Sequence, residues 1–278
     1  MNELAPVIAA NVAAALAEDV GSGDHTARLV PAAAGAQASV ISRCDAVVCG
    51  APWFDACFHQ LDAQAEIAWN VGEGARVSAG QALCTVRGAA RALLTAERTA
   101  LNFLQLLSAV ATATRSYVDA IAGTRARIVD TRKTLPGLRV AEKYAVRVGG
   151  GLNHRLGLYD GILIKENHVA AAGGIGAAMR AAARGAPPGI RVQIEVENLD
   201  QLREALAAGA KMILLDNMDP GMLRDAVRIT AGRAELEASG GITLDNVRAI
   251  AETGVDRISI GSLTKDIKAV DLSMRFER

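Results

Sequence analysis

Hydrophobic and polar positions follow two different patterns along the chain, and the change falls near residue 123. Beyond it, short β-branched or aliphatic runs alternate with Ala- and Leu-rich stretches of helical periodicity. The predicted strands are ARIVD (126–130), GILIK (161–165), RVQIEVE (191–197), KMILLD (211–216), AELEAS (234–239) and RISIG (257–261), with a further short strand at LNHR (152–155). Helical patterns separate them at 138–148, 174–184, 199–208, 219–230 and 244–252. This alternation predicts a parallel sheet with right-handed crossovers, arranged as an α/β barrel.

The first third of the chain has a different character. The segment VGEGARVSAGQALCTVRG (71–88) is typical of two strands joined through glycine-containing turns, and a long helix is predicted from about residue 89 to 121. The pattern therefore predicts two domains, a smaller α+β domain over residues 1–110 and the barrel over 111–267. The tail at 268–278 follows the last strand, and we expect it to pack back on the first domain.

Polar residues and glycines follow the predicted strands where a barrel carries its active site, at the carboxyl ends. They are Thr131, Arg132 and Lys133, then Lys165, then Asp216, then Ser239, Gly240 and Gly241, and finally Gly261 and Ser262. In VQIEVE the alternation separates Glu195 from Val192, Ile194 and Val196. If the apolar face meets the helices, Glu195 points into the barrel mouth.

Charge is balanced overall, with 30 Lys and Arg against 30 Asp and Glu, and 51% of the residues are hydrophobic. This balance argues against a general nucleic-acid or membrane surface but permits a local cationic site. Arg132, Arg155 and Lys165 suit carboxylates, while glycine-rich loops after the last strands suit phosphate. Glu195 and Asp216 would then face a developing cation, ribose hydroxyls or Mg²⁺ carried by a pyrophosphate.

Each of these residues also has a structural interpretation. Arg132 and Lys133 fit a solvated loop, His154 fits a structural hydrogen bond, and the glycines at 149–151 fit a helix end. Their coincidence at one rim favours a binding site for a substrate rich in carboxylate and phosphate.

The cysteines and the hydropathy of the chain indicate in which cellular compartment we expect the protein. Cys44, Cys49, Cys57 and Cys84 form no CxxC pair, so we expect reduced thiols and a cytoplasmic protein. The first twenty residues contain no Lys or Arg, unlike the start of a signal peptide. The chain contains no apolar run of the roughly 18 residues that a membrane span needs.

Several segments resemble one family. The chain resembles the quinolinate phosphoribosyltransferases, which are also called carboxylating nicotinate-nucleotide pyrophosphorylases. The segments that carry the resemblance are DTRKTLPGLR, EKYAVRVGGGLNHRLGLYDGILIKENH, EVEN, LLDNM, ASGGI and ISIGS, together with ALAEDVGSGDHTA and LLTAERTALNFLQLLSA. The resemblance covers nearly the whole chain, and it departs from the family pattern at His25 and Ala27. It implies an α/β fold with an N-terminal α+β open sandwich domain and a C-terminal incomplete barrel of about seven strands.

The resemblance also implies an activity and a set of roles. Quinolinate and phosphoribosyl pyrophosphate would give nicotinate mononucleotide, pyrophosphate and CO₂, with Mg²⁺ carried on the pyrophosphate and no organic cofactor. Lys133, Lys165, Glu195 and Asp216 would be catalytic. In a homodimer, the substrates would be held by Arg132, Arg155, Lys165 and His154 (quinolinate carboxylates), Arg98 (from the neighbouring subunit), Thr131 and Lys133 (pyrophosphate end), Glu195 and Asp216 (ribose and Mg²⁺), and Ser239, Gly240, Gly241, Ile260, Gly261 and Ser262 (5′-phosphate).

Two alternatives stay open at this point. One is the molybdenum-transport-associated relative of this family, which shares the TRKT and HR segments. KENH at 165–168 favours the quinolinate enzyme, because Lys165 supplies an additional carboxylate donor. The other is a non-catalytic phosphate-binding barrel, which would not need Glu195, Asp216 and Arg98 together.

Overall fold

The structure is a computed structural model that describes residues 4–277. Its helices are α1 (Ala5–Val20), α2 (Ala51–Leu61), α3 (Ala90–Ala120), α4 (Arg139–Val148), α5 (Glu166–Ala172), α6 (Ile175–Gly185), α7 (Leu199–Ala207), α8 (Pro220–Thr230), α9 (Val247–Ala251) and α10 (Ser262–Lys265). Its strands are β1 (Gly35–Ser42), β2 (Ala46–Val47), β3 (Glu66–Trp69), β4 (Arg76–Val77), β5 (Ala82–Ala89), β6 (Arg127–Val129), β7 (Gly161–Ile164), β8 (Arg191–Val196), β9 (Met212–Asp216), β10 (Glu235–Ser239), β11 (Arg257–Ser259) and β12 (Leu272–Phe276).

Contacts divide the chain into two compact units. The first contains the chain up to Ala113, the segment Thr134–Gly149 and the stretch from Lys265 onward. The second contains Thr114–Lys133 and Gly150–Thr264. The predicted division into 1–110 and 111–267 therefore differs from the observed units at 134–149, which packs with the first unit although it lies between two barrel strands.

The first unit is built on an antiparallel sheet with the strand order β12-β1-β5-β3. Strand β12 pairs with β1 in register, with Val40 opposite Met274, so the C-terminal tail packs on the first domain as expected. Behind the sheet lies an aromatic core in which Phe54 packs against Phe58 and Trp69 at ring-centroid distances of 4.9 and 5.4 Å.

Helix α3 begins directly where β5 ends and continues for 31 residues. Its buried residues Leu93, Ala96, Ala100, Leu104 and Leu107 recur at intervals of three and four, which is the pattern of a helix with one apolar face. The sequence predicted this helix within about one residue at each end.

Helix α4 explains why residues 134–149 pack with the first unit rather than with the barrel. Its residues Ala141, Ala145 and Val146 are buried in the core of the first unit, and the Tyr144 ring packs at a tilt against Trp53 with ring centroids 5.5 Å apart. The sequence shows an amphipathic helix at this place but not which core its apolar face covers.

The departure at His25 and Ala27 lies in a turn that Asp24 closes. Asp24 Oδ1 accepts hydrogen bonds from the backbone N–H groups of Thr26 and Ala27, and its other oxygen accepts one from Thr95 on α3. Ala27 is buried and His25 is exposed.

The second unit contains a parallel sheet of six strands in the order β6-β11-β10-β9-β8-β7. Each predicted strand from 126 onward is present, and Leu152 adds a single parallel bridge to Val129 on the free edge of β6. Among residues 4–277 no strand pairing joins Leu152 to β7, so the barrel is incomplete. Because all six strands are parallel, their carboxyl ends meet at one edge.

Polar side chains fix the starts of two barrel helices. The Asn198 side chain accepts a hydrogen bond from Gln201 N before α7, and that of Asp219 accepts from Gly221 N and Met222 N before α8. Such caps satisfy backbone groups that the helix leaves free. The short helices α5 and α10 were not predicted, because seven and four residues are too few to show a periodicity.

No helix within residues 4–277 is both long and apolar enough to cross a membrane. All four cysteines are free, and three of them are buried. Burial raises the pKa of the Cys57 thiol to about 12, so this sulfur stays protonated at neutral pH.

Candidate active site

The predicted polar residues of the barrel lie at the carboxyl edge of the parallel sheet. Thr131, Arg132 and Lys133 follow β6, Lys165 follows β7, Glu195 and Asp216 lie near the ends of β8 and β9, Ser239, Gly240 and Gly241 end β10, and Ile260, Gly261 and Ser262 follow β11. The strands carry these residues to one rim because every strand of the sheet runs in the same direction.

Two arginines lie close together at this rim. Arg155 is partly buried, and its Nη1 donates a hydrogen bond of 2.9 Å to the carbonyl oxygen of Gly161 at the start of β7. Burial and the neighbouring charge of Arg132 lower the pKa of Arg155 below its usual value. Two guanidinium groups held near each other repel in the absence of an anion, so this arrangement favours binding of a carboxylate between them.

The segment that carries Arg155 is anchored by a buried carboxylate. Asp130 is fully buried at the end of β6, and it accepts hydrogen bonds from Asn153 Nδ2 at 2.6 Å and from His154 N at 2.8 Å. The His154 ring in turn contacts Gln193 of β8, with 2.8 Å between Nε2 and Oε1. These contacts fix residues 153–155 at the rim.

Lys165 and Glu195 form an ion pair across neighbouring strands. Lys165 Nζ lies 3.3 Å from Glu195 Oε2, and the side chains are 50% and 14% exposed. Glu195 shares a strand face with the inward-pointing Gln193, as the alternation in VQIEVE predicted. The Lys165 backbone N–H also donates to His168 Nδ1, which holds the turn after β7. A half-exposed ammonium next to a carboxylate can exchange its partner for a substrate anion at little cost.

Lys133 lies over the glycine that follows β11. A Cβ atom built on Gly261 would come within 3.0 Å of Lys133 Cδ, so a larger residue at this position would require the Lys133 side chain to shift. Thr131 Oγ1 accepts the Lys133 backbone N–H at 3.0 Å, and Thr264 donates to the Lys133 carbonyl oxygen at 2.8 Å. These two hydrogen bonds therefore fix the backbone of Lys133, although the residue is exposed to solvent.

Asp216, Asn217 and Gly240 interlock at the ends of β9 and β10. Asn217 adopts a left-handed backbone conformation with φ 54°, which asparagine tolerates better than most residues. Its Nδ2 donates to Asp216 Oδ2 at 2.8 Å, and its N–H donates to the Ser239 carbonyl oxygen. Gly240 has φ 96° and packs against Asn217, so the glycine is required by both its backbone and its neighbour.

The loop after β10 is held by one asparagine. Asn246 Oδ1 accepts the Thr243 N–H, and Asn246 Nδ2 donates to the Gly241 carbonyl oxygen at 3.0 Å. Gly241 has φ 59°, which keeps the loop tight and leaves its backbone exposed. A loop of this kind can present backbone N–H groups to a phosphate.

Arg98 and the predicted Mg²⁺ are not among the features that the strand ends of the second unit bring together. Arg98 is exposed on α3, in the first unit. Among residues 4–277 no group of three or more His, Cys, Asp or Glu side chains could hold a metal ion.

Several buried polar residues of the second unit carry no site role in the sequence pattern. The pattern predicts Asp130 only as the end of a strand, and it indicates no role for Gln193, Glu237 and Arg257. Gln193, Glu237 and Arg257 are at most 7% exposed. The signal available for Gln193 and Glu237 was a polar or charged side chain inside a predicted strand, since such groups are buried only with partners, whereas Arg257 is the first residue of β11.

Comparison with known proteins agrees with this architecture. Residues 24–108 match the model of the quinolinate phosphoribosyl transferase N-terminal domain, and residues 110–275 match that of the C-terminal domain. The chain is 42% identical over 257 residues to a probable nicotinate-nucleotide pyrophosphorylase (carboxylating) of Bacillus subtilis, covering 92% of this chain and 89% of the relative. A Mycobacterium leprae protein named nicotinate-nucleotide pyrophosphorylase (carboxylating) is 50% identical over 211 residues, which cover 75% of this chain and 74% of the relative.

A solved structure is also similar over nearly its whole length. The nicotinate-nucleotide pyrophosphorylase from Francisella tularensis superposes with a TM-score of 0.95 at 43% sequence identity, covering 98% of this chain and 96% of that one.

Proposed function

Because the chain belongs to the quinolinate phosphoribosyl transferase family, we propose that it converts quinolinate and phosphoribosyl pyrophosphate into nicotinate mononucleotide, pyrophosphate and CO₂. This reaction supplies the nucleotide for NAD biosynthesis. The observation that carries the proposal is the set of cations at one sheet edge, namely the neighbouring Arg132 and Arg155 together with Lys165. A dicarboxylate substrate needs such a set, since each carboxylate requires its own donors.

The chemistry follows from the charges at the rim. Departure of pyrophosphate builds positive charge at the ribose anomeric carbon, which the Glu195 carboxylate can stabilise. The quinolinate nitrogen forms the new C–N bond with its lone pair and becomes a pyridinium. The electron pair of the bond to the adjacent carboxylate then remains on the ring carbon as CO₂ departs, and this carbon takes up a proton. The pyridinium charge stabilises this carbanion, so the step needs no organic cofactor.

The second substrate accounts for the remaining rim residues. Asp216, held by Asn217, is suited to the ribose hydroxyls and to Mg²⁺ that arrives bound to the pyrophosphate. Lys133 is suited to the pyrophosphate, and the loops at Ser239–Gly241 and Ile260–Ser262 to the 5′-phosphate. The enzyme then acts chiefly by aligning two anions against each other.

We further propose a homodimer in the cytoplasm. Arg98 lies in the first unit while the other cationic residues lie in the second, and we assign this charge at each site to the neighbouring subunit, as the family resemblance implies. Four free cysteines support a reducing compartment.

The test is a single incubation of the purified protein with both substrates and Mg²⁺, in which nicotinate mononucleotide and CO₂ are measured. Nicotinate mononucleotide and CO₂ should form in equal amounts. Nicotinate, which lacks the second carboxylate, should turn over far more slowly than quinolinate. Equal or faster use of nicotinate contradicts the proposal. Absence of any product would instead favour the molybdenum-transport-associated relative or a non-catalytic phosphate-binding barrel.

Two lysine variants sharpen the assay. Lys165→Ala should lower kcat/KM by an amount equivalent to roughly 2–4 kcal/mol, the usual effect of removing one stabilising donor. Lys211→Ala is the matched control, because Lys211 is exposed at the opposite, amino-terminal end of the same sheet. Its kinetic constants should match those of the parent protein.

A further inference from the structure

A fully buried carboxyl group in the first unit holds the segment that directly follows Lys133. Glu142 on α4 is 0% exposed, and its Oε2 accepts the backbone N–H of Leu135 at 3.2 Å. Burial raises the pKa of this carboxyl to about 7, although the Leu135 N–H and the charge of Arg139 oppose the shift. An ionisable group at this place therefore costs stability that an apolar side chain would not cost.

The second oxygen of Glu142 adds to this cost. Glu142 Oε1 is buried and has no hydrogen-bond partner among residues 4–277. Polar atoms buried without a partner are rare in folded proteins, because each one lowers the free energy of unfolding. An apolar side chain of the same size would fill this part of the core at lower cost. What Glu142 provides, and an apolar residue would not, is an acceptor for a backbone group two residues after Lys133.

Arg139 makes the matching contact one turn earlier on α4. Its Nε donates a hydrogen bond of 3.1 Å to Thr134 Oγ1. Residues three apart on a helix lie on the same side of it, so Arg139 and Glu142 can reach the same stretch of chain. Together they hold two consecutive residues, Thr134 and Leu135. Because α4 is packed in the core of the first unit, both contacts start from a fixed element.

Lys133 is therefore held from both directions along the chain. Within the second unit, Thr131 Oγ1 accepts the Lys133 N–H and Thr264 Oγ1 donates to the Lys133 carbonyl oxygen. The chain then leaves that unit at once, since the first unit resumes at Thr134. Without the contacts to α4, the residues after Lys133 would be free to turn about their backbone torsions and to carry the Lys133 peptide with them. The long side chain over Gly261 would enlarge any such movement.

We propose that Glu142 and Arg139 are positioning residues that hold Lys133 in place for the pyrophosphate group of the second substrate. This inference rests on the proposed function, in which Lys133 meets the pyrophosphate. The two residues act through Leu135 and Thr134 rather than by contact with the substrate. A lysine whose backbone is fixed beforehand loses less conformational freedom when the anion arrives, and this lowers the cost of binding.

The first experiment measures hydrogen exchange and needs no activity. Glu142→Met keeps the length of the side chain but offers no acceptor for the Leu135 N–H, whereas Glu142→Gln keeps an acceptor. The Leu135 amide should be protected in the parent protein and in Glu142→Gln, and it should exchange at least about tenfold faster in Glu142→Met. Mass spectrometry with backbone fragmentation resolves this amide. Equal protection in the parent and in Glu142→Met contradicts the proposal.

The second experiment measures the binding of each anion alone, so that no turnover takes place. Titration calorimetry gives the Kd for pyrophosphate with Mg²⁺ and the Kd for quinolinate. In Glu142→Met the Kd for pyrophosphate should rise about threefold to tenfold, the usual size of one net hydrogen bond, and Glu142→Gln should restore it to within about twofold of the parent. The Kd for quinolinate should change less, because Arg155 and Lys165 lie on other segments. An unchanged Kd for pyrophosphate in folded Glu142→Met, or an equal rise for both anions, contradicts the proposal.

A matched control separates positioning from loss of stability. Ser42 is fully buried at the end of β1 in the same unit, and Ser42→Ala removes its hydrogen bond of 2.6 Å to the Cys44 carbonyl oxygen. This variant should be less stable but should keep the parent values of Leu135 exchange and of both Kd. If Glu142→Met does not fold, Arg139→Met removes the other contact at a partly buried position and should raise the Kd for pyrophosphate by a similar factor. An unchanged Kd there contradicts the proposal.

Failure of this inference and failure of the proposed function give different results. A parent protein that binds neither anion and forms no nicotinate mononucleotide refutes the proposed activity, even when the Leu135 amide behaves as expected. An active parent protein, together with a Glu142→Met variant whose affinity for pyrophosphate is unchanged, refutes the positioning role and leaves the activity intact.

Discussion

Side chains at the strand ends hold one another before any ligand arrives. Lys165 pairs with Glu195, Asn217 holds Asp216, and Lys133 lies over Gly261. The period of two along a strand was enough to predict the direction of Glu195. It could not reveal that Gln193 meets Glu237, because β8 and β10 are separated by β9 and the contact depends on the curvature of the sheet.

Gly240 offers a sharp test of the phosphate loop. In Gly240→Ala the new Cβ would overlap Asn217 Oδ1 and lie 3.0 Å from Asn217 N, at a backbone φ of 96°. The loop must shift, and loss of one charge-assisted bond to the 5′-phosphate, about 1.5–3 kcal/mol, corresponds to roughly a tenfold to hundredfold rise in KM for phosphoribosyl pyrophosphate. Steady-state kinetics measure this directly.

Gly232→Ala is the control for backbone strain alone. Gly232 also has a positive φ, of 74°, but a Cβ there meets no atom within 4 Å. Its KM for phosphoribosyl pyrophosphate should equal that of the parent. A similar rise in both variants would mean that destabilisation, rather than the loop after β10, causes the effect.

Glu142 on α4 should make the stability of the protein depend on pH. Burial raises the pKa of its carboxyl to about 7, although the N–H of Leu135 and the charge of Arg139 oppose this. Between the ordinary value of 4.5 and 7 the folded protein holds a proton that the unfolded chain has released. Stability therefore falls as the pH rises through this window, by on the order of 2–3 kcal/mol from this group.

Glu142→Gln removes the titrating group and keeps an acceptor for Leu135 N. Relative to the parent, its Tm should be similar at pH 5 and clearly higher at pH 8. Glu18→Gln, on the exposed face of α1, should show no such divergence. If the Tm difference for Glu142→Gln is the same at both pH values, Glu142 is charged in the folded protein and the expectation is wrong.

Whole elements were predicted well where their partners are close in sequence. The strands of the parallel sheet and helices α6, α7 and α8 were predicted to within about two residues at each end, because each of these βα units packs against the next one along the chain, whereas the short helices α5 and α10 were not predicted. The pattern did not place helix α4, which packs in the first unit. The tail was expected to pack on the first domain, but the pattern did not indicate that β12 would pair with β1, at the other end of the sequence. Contacts between distant segments leave no periodic signal in either segment.

Strand β12 should contribute strongly to the stability of the first unit. Met274 is 8% exposed and lies opposite the fully buried Val40. Met274→Ala should lower the free energy of unfolding by about 2–5 kcal/mol, as for other buried large-to-small changes. Arg275→Ala, at an exposed position of the same strand, should change it by less than about 0.5 kcal/mol. Equal effects in the two variants, measured by chemical denaturation of the first unit, would show that the strand packs loosely.

The molecule as a whole is proposed to act as a pair of chains, and Arg98 tests this. Arg98→Ala and Glu195→Ala should each be nearly inactive, because one removes the donated charge and the other the carboxylate within the barrel. After exchange of subunits, half of the dimers are mixed, and each mixed dimer has one site with both lesions and one intact site. Activity should then recover to about a quarter of the parent value.

Exchange itself must be demonstrated, for example with subunits of different isotopic mass. If mixed dimers form and activity stays at the level of the separate variants, Arg98 serves its own barrel or is only a surface charge beside Glu97. If no dimer forms at all while the parent chain is active, the shared site is refuted together with the homodimer.

The pairing of β12 with β1 also bears on how the chain is made. A ribosome releases β1, β3 and β5 first, then the entire second unit, and only afterwards the strand that covers the outer edge of β1. Until then a hydrogen-bonding edge stays open on the nascent first unit, and such edges recruit strands from other chains. Folding of the first unit can finish only after synthesis of the second. We therefore expect the interval before release from the ribosome to be the period in which this protein most needs a chaperone.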